Sequence, residues 1–145
     1  MKRFDFPLER VRRWRREQAS LEELKLQQLL AQKAALFAAR CQIDRERADE
    51  EQQLFARPFL AGSELEALDS YSAYSRGRVR HLEDRERQCE SQIVEQRNRL
   101  LEARRRFELL DKLHQQSLKT WQAALNKEYE DLAAESFLAA SRRGI

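Results

Sequence analysis

The chain has 145 residues, the length of one domain, and 37% of them are charged, against roughly 25% in an ordinary globular domain. Three glycines and two prolines are too few turn residues for a β-sandwich, a dinucleotide-binding α/β unit or a loop-rich enzyme. The 28 basic and 25 acidic residues leave +3, a mixed-sign surface without a strong global pull toward nucleic acid or an anionic membrane.

The breakers divide the chain into two helices. Pro7 stands near the start, Pro58 and Gly62 mark a turn, and Gly144 stands at the end. Helix 1 is expected to open after Asp5 as N-cap, with Pro7 in the first turn where its missing N–H is harmless. It should run over about residues 6–57, because the residue before Pro58 is pushed out of the helical region. Its apolar spacing is irregular. Trp14, Leu21, Leu29, Leu36, Ile43 and Leu54 are separated by steps of seven, eight, seven, seven and eleven, which read as stutters.

The turn covers residues 58–62. Helix 2 follows over about residues 63–141, opened by Ser63 and Glu66 at capping-box spacing. Its seam is regular: Leu65, Leu68, Ser72, Ser75, Val79, Leu82, Glu86, Cys89, Ile93, Gln96, Leu100, Ala103, Phe107 and Leu110 alternate in steps of three and four. That is the repeat of a left-handed coiled coil, weakened by its polar members. Gly77 interrupts the helix at a cost of about 1 kcal/mol relative to alanine and is a candidate bend.

A five-residue turn makes the helices antiparallel neighbours. The expected fold is all-α: a single elongated domain over residues 1–145, a long two-helix coiled coil with the C-terminal helix overhanging. With the turn near residue 60, Cys41 faces the region of Val79 and no disulfide with Cys89 is expected. The two cysteines form no CxxC and no zinc spacing, which suits a reducing compartment. No uncharged run exceeds seven residues, so neither a transmembrane helix nor a signal-peptide core is expected.

Helix 1 should run out opposite residues 112–114, leaving helix 2 to overhang by roughly 26 residues, about 39 Å. The overhang carries Leu118, Trp121, Leu125, Leu132 and Ala139 at helical spacing, with Phe137 and Leu138 beside them. Such an uncovered stripe points to a partner, or to self-association. Packing helps hold a helix, so the turns beyond residue 120 are expected to fray when alone. Residues 1–20, with Arg12, Arg13, Arg15 and Arg16, and residues 97–119, with Arg104, Arg105 and Arg106, each carry a net +4. The hairpin register sets these two stretches side by side as a basic collar. The part of helix 1 near the turn is acidic. On helix 2, Tyr71, Tyr74, Arg78 and His81 share one face just after the turn, where exposed aromatics suit a second docking surface.

Catalysis needs convergent groups in a water-excluding pocket, which two helices do not offer. His81 and His114 lie 33 residues apart on one helix, and there is no Walker loop, GxSxG or HExxH. No enzyme activity, cofactor or metal is expected. The Arg10–Arg16 stretch could lie on a phosphate backbone or an anionic bilayer, which makes a nucleic-acid or membrane-surface binder an alternative reading, but no RNA-binding motif, basic zipper or zinc finger accompanies it. No nucleic-acid partner is expected.

Phe4-x-Phe6-Pro7-Leu8-Glu9-x-Val11 followed by Trp14-Arg15-Arg16, the run from Leu101 through Arg104-Arg105-Arg106 to Leu113, and Trp121 followed by Glu130-Asp131-Leu132-Ala133 come in an order that resembles the FliJ family. These are the stalk proteins of the bacterial flagellar type III export apparatus, with the injectisome stalk proteins as close relatives. The start of helix 2, from Leu65 to Leu82 with Tyr71 and Tyr74, also fits. The departures are Glu130-Asp131 in place of Asp-Glu, and Leu125 where a charged residue is frequent.

The resemblance implies a two-helix coiled coil similar to the central stalk of rotary ATPases. Its joined N- and C-terminal end would enter a hexameric export ATPase and promote its assembly and activity. Trp121, Leu125 and Leu132 would sit in the ring, and Arg12–Arg16 with Arg104–Arg106 would meet its rim. Tyr71, Tyr74, Arg78 and His81 would face the cytoplasmic domain of the export gate. Some members also handle export chaperones. The implied location is cytoplasmic, peripheral to the inner membrane.

Overall fold

No glycine or proline interrupts the chain between Leu8 and Arg57, and Gly77 alone does so between Ser63 and Arg143. The computed structural model, which describes residues 2–144, is accordingly an all-α helical hairpin. Helix α1 spans Glu9–Phe55 and helix α2 spans Gly62–Arg143, packed against each other, with no strand among the described residues.

The helix ends depart from expectation in instructive ways. Helix α1 starts three residues later than expected, because Leu8 rather than Asp5 supplies the first helical acceptor: Arg12 N–H donates to the Leu8 carbonyl at 2.9 Å. Glu9 N–H donates to the Phe6 carbonyl at 3.1 Å, closing a turn over Pro7. Residues 2–6 are non-helical. At the turn, the Ala61 carbonyl accepts from both Glu64 and Leu65 N–H groups, at 3.1 and 3.2 Å. Ala61 therefore caps α2, and the expected Ser63–Glu66 capping box is replaced, with Ser63 inside the first turn. The far end of α2 stays helical through Arg143 rather than fraying after residue 120. Extending an existing helix needs no new nucleus, and this stretch is rich in alanine, the strongest helix former.

The described residues form two compact units. The first spans residues 21–100. Its core is Leu36 against Cys89 and Ile93, supported by Leu26, Leu29, Leu30 and Leu82. On α2 the expected seam holds from Leu68 onward: Ser75, Cys89, Ile93, Gln96 and Leu100 are buried, with Val79, Leu82 and Glu86 half-buried between them, whereas Leu65, expected to open the seam, is exposed. On α1 the expected stutter between Leu21 and Leu29 is absent: Glu22, Leu26, Leu29, Lys33, Leu36, Arg40, Ile43 and Arg47 are covered in steps of four and three, with Leu30, Cys41 and Asp44 half-buried beside them. The expected eleven-residue step from Ile43 to Leu54 holds, since Arg47, Glu51 and Leu54 are half-buried in steps of four, four and three. Leu21, expected on the seam, is 50% exposed beside it.

Charged residues complete the repeat because their stems pack while their heads find partners. Lys33 pairs with Glu90 at 3.2 Å, and Arg40 with Glu86 at 3.2 Å. Gln96 donates to the Glu22 main-chain carbonyl at 3.0 Å and to its carboxylate. That bond holds the Glu22 carboxyl below the ordinary range, with help from Lys25. Glu86 and Gln96 of the α2 seam are thus matched across the helices, as buried polar groups require. Both thiols are free, and the Cys89 thiol donates to the Leu29 carbonyl at 3.3 Å.

The second unit joins residues 2–20 to residues 101–144. Ala103, Phe107, Leu110, His114, Leu118, Trp121 and Leu125 are half-buried at steps of four, three, four, four, three and four, with one break in the alternation at His114. Trp14, expected on the seam of α1, is 48% exposed, while Arg12 and Arg15 occupy the covered positions. Phe6 is the buried apolar residue of this unit's N-terminal segment.

Candidate docking surfaces

The overhang expected from residue 114 starts later. Residues 2–6 do not continue α1. They lie along α2 as an irregular strap, and an extended residue advances about 3.3 Å against 1.5 Å in a helix. The strap therefore reaches farther than a helix of the same length. Phe4 and Phe6 set their rings edge-on to the His114 imidazole, at 5.5 and 5.2 Å between centroids. Phe4 also lies 5.8 Å from the Trp121 ring. The Trp121 indole N–H donates to the Lys2 carbonyl at 3.2 Å. Trp121 and Leu125 are consequently half-covered, and the exposed part of the stripe is Leu132, Ala139, Phe137 and Leu138. Sequence spacing could have signalled the strap, since Phe4 and Phe6 alternate with charged residues ahead of Pro7, a two-residue period that suits an extended chain.

The arginines of this unit are not equivalent. Arg12 donates through Nε and Nη2 to one Asp111 oxygen, at 3.1 and 2.8 Å, and through Nη1 to Glu9 at 3.2 Å. Its guanidinium lies 5.8 Å from the Phe107 ring centroid. The Asp111 bond and the neighbouring carboxylates raise its pKa further above an already basic value, so the cation is permanent. Arg12 is thus a clamp within the unit rather than part of a free rim. Arg13 reaches back to Glu9 at 3.3 Å but stays mostly exposed. Arg15 lies over the Trp14 ring at 4.6 Å, and Arg106 pairs with Glu102 at 2.7 Å. Arg16, Arg104 and Arg105 are exposed. The unit carries 15 basic and 10 acidic residues, so it remains basic.

In the other unit, the aromatic face splits in two. Tyr74, Arg78 and His81 line an open groove of about 650 Å³ with Ala39, Ile43 and Gly77. Tyr74 is 64% exposed, and the Arg78 guanidinium lies 5.8 Å from its ring centroid. A side chain at Gly77 would meet open space, so the glycine relieves no clash. Tyr71 is not in this groove. It lines a smaller hollow near the turn with Leu54, Arg57, Glu64 and Leu68. Sequence spacing placed Gly77 beside Tyr74, Arg78 and His81 but missed Ala39 and Ile43 as groove residues, because the groove is built from both helices.

Among the described residues, no group of His, Cys, Asp and Glu side chains could hold a metal ion, and no helix is long and apolar enough to cross a membrane. Compared with family models, curated proteins and solved structures, the chain matches none significantly.

Proposed function

We propose that the chain is a non-enzymatic stalk of a bacterial type III protein export apparatus, flagellar or injectisome. In this reading the unit formed by residues 2–20 and 101–144 enters a hexameric export ATPase and promotes its assembly and activity. The observation that carries it is the unpartnered apolar end of α2: Leu132 is 57% exposed, Phe137 71% and Leu138 57%, in a unit with excess positive charge. A large exposed apolar stripe beside exposed charged side chains suits insertion into a ring with a polar rim. Arg13, Arg16 and Arg105 are the rim contacts, and Arg12 positions the helices that present them. The Tyr74–Arg78–His81 groove takes the cytoplasmic domain of the export gate, with export chaperones as further partners. The protein would work in the cytoplasm, peripheral to the inner membrane.

Titrating the chain into the cognate export ATPase tests this. The expected result is hexamer formation and faster ATP turnover at micromolar concentration, both lost with Leu132→Asp. Absence of binding and stimulation would sink the reading. The same exposed stripe supports a second reading, a self-associating structural coiled coil. Light scattering separates the two: a concentration-independent monomer removes the second.

A further inference from the structure

The strap and the exposed end of α2 draw on one continuous apolar face. Leu118, Trp121 and Leu125 lie in line with Leu132, and the strap covers only the first part of that line. We propose that residues 2–5 are a displaceable strap, hinged at Phe6–Pro7, which occupies the Trp121–Leu125 part of the docking face until the partner of the α2 end replaces it. This inference deepens the stalk reading and rests on it for the identity of the partner.

The strap is unequally held along its length. Phe6 is 7% exposed against α2, and the Glu9 N–H to Phe6 carbonyl bond closes the turn behind it, so this point is an anchor. Beyond the anchor the fit is loose. A hollow of about 640 Å³ lies between Lys2, Arg3, Phe4 and Asp5 and the α2 residues Leu113, Ser117 and Trp121. A second, of about 420 Å³, opens between Lys2 and Trp121, Leu125 and Glu128. Both hollows are open to solvent, and Lys2, Arg3 and Asp5 are exposed, so this segment rests on one face of α2 and is not enclosed by a core. What holds Lys2–Asp5 is the half-buried Phe4 ring and the neutral indole bond to Lys2, contacts that a helix-binding partner can replace. Lifting the strap would lengthen the available stripe by about one turn of α2 and free the Trp121 N–H for a partner acceptor.

The test uses the full chain with Trp14→Phe, so that emission reports Trp121. In that background Phe4→Ala should shift the emission to the red and raise quencher access severalfold, with unchanged helicity. It should also tighten binding to the export ATPase by roughly three- to tenfold, because one aromatic contact no longer has to be displaced. A second variant locks the strap: Lys2→Cys and Ala124→Cys, joined by a short bismaleimide in a Cys41→Ser background. The locked chain should lose ATPase affinity and the unjoined chain should keep it. Unchanged Trp121 exposure in Phe4→Ala, or full ATPase binding by the locked chain, would overturn the strap. If Phe4→Ala exposes Trp121 but no form of the chain binds the ATPase, the strap stands as a cover and the stalk reading falls.

Discussion

Arg12 of α1 and Asp111 of α2 are joined by two nitrogens on one carboxylate oxygen, at 3.1 and 2.8 Å, and are 99 residues apart in the chain. The pair is partly covered, with side chains 20% and 29% exposed, and Glu9 holds the same guanidinium from the other side. Fork-shaped contacts of this kind set geometry as well as adding energy. Asp111→Asn should therefore lower stability by about 1 kcal/mol, a value discounted for solvent screening. Urea denaturation at low and high salt checks this, with the difference shrinking as salt rises. Arg12→Lys should not restore the full effect, since an ammonium cannot present the fork.

Glu22 gives the fold an acid-sensitive element. Its carboxyl is held below the ordinary range of about 4.3, first by the Gln96 amide and then by Lys25. Below that ordinary value the unfolded chain takes up the proton first. The contribution is thus complete above the ordinary carboxylate pKa and disappears as pH falls through the lowered folded value. Glu22→Gln should remove this part of the pH dependence. Urea midpoints at pH 7 and pH 3 for both chains test it: the gap between them should be smaller in the variant.

Gly77 separates stability from docking. A methyl there meets no atom within 4 Å and the backbone is helical, so Gly77→Ala should raise stability by about 0.5–1 kcal/mol. Gly77 also lines the groove with Tyr74, Arg78 and His81, so a methyl there adds bulk at its edge. Thermal unfolding should shift upward while binding of the export gate domain weakens. A shift of the two in the same direction would contradict the assignment of this groove.

Two leucines should behave in opposite ways. Leu36 is 7% exposed and packed against Cys89 and Ile93. Leu36→Ala should cost about 2–4 kcal/mol by loss of burial and by the cavity left behind. Leu132 is 57% exposed. Leu132→Ala should leave stability within about 0.5 kcal/mol and weaken ATPase binding instead. Chemical denaturation and a binding titration on both variants read out the contrast.

The residues that sequence reading placed correctly share a property. The α2 seam from Leu68 to Leu110 is covered as its spacing implied, including Gln96 and Glu86, because a three-four repeat is written in one helix alone. On α1 the same method placed Leu29, Leu36, Ile43 and Leu54 but failed on Trp14 and Leu21, which look like seam residues and are not. There the seam includes Arg12, Lys33 and Arg40, and apolar counting passes over residues whose burial depends on a carboxylate across the interface. Of the candidate site residues, the exposed leucine of the α2 end and the Tyr74, Arg78 and His81 group were visible in the sequence. The role of Arg12 as a clamp was not, nor was the separation of Tyr71 from Tyr74.

The sequence by itself determined the hairpin: two breaker-free runs, one turn, and a regular repeat on α2 are local facts, and backbone geometry turns them into helices without reference to anything distant. It also determined the uneven distribution behind the net +3. The tertiary structure decided what those charges and end residues do. Phe4 and Phe6 leave the helical path because His114 and Trp121 offer them an apolar face, and Arg12 and Lys33 enter the seam because Asp111 and Glu90 meet them. Each of these choices depends on a pairing between residues far apart in the chain, and neither partner carries it alone.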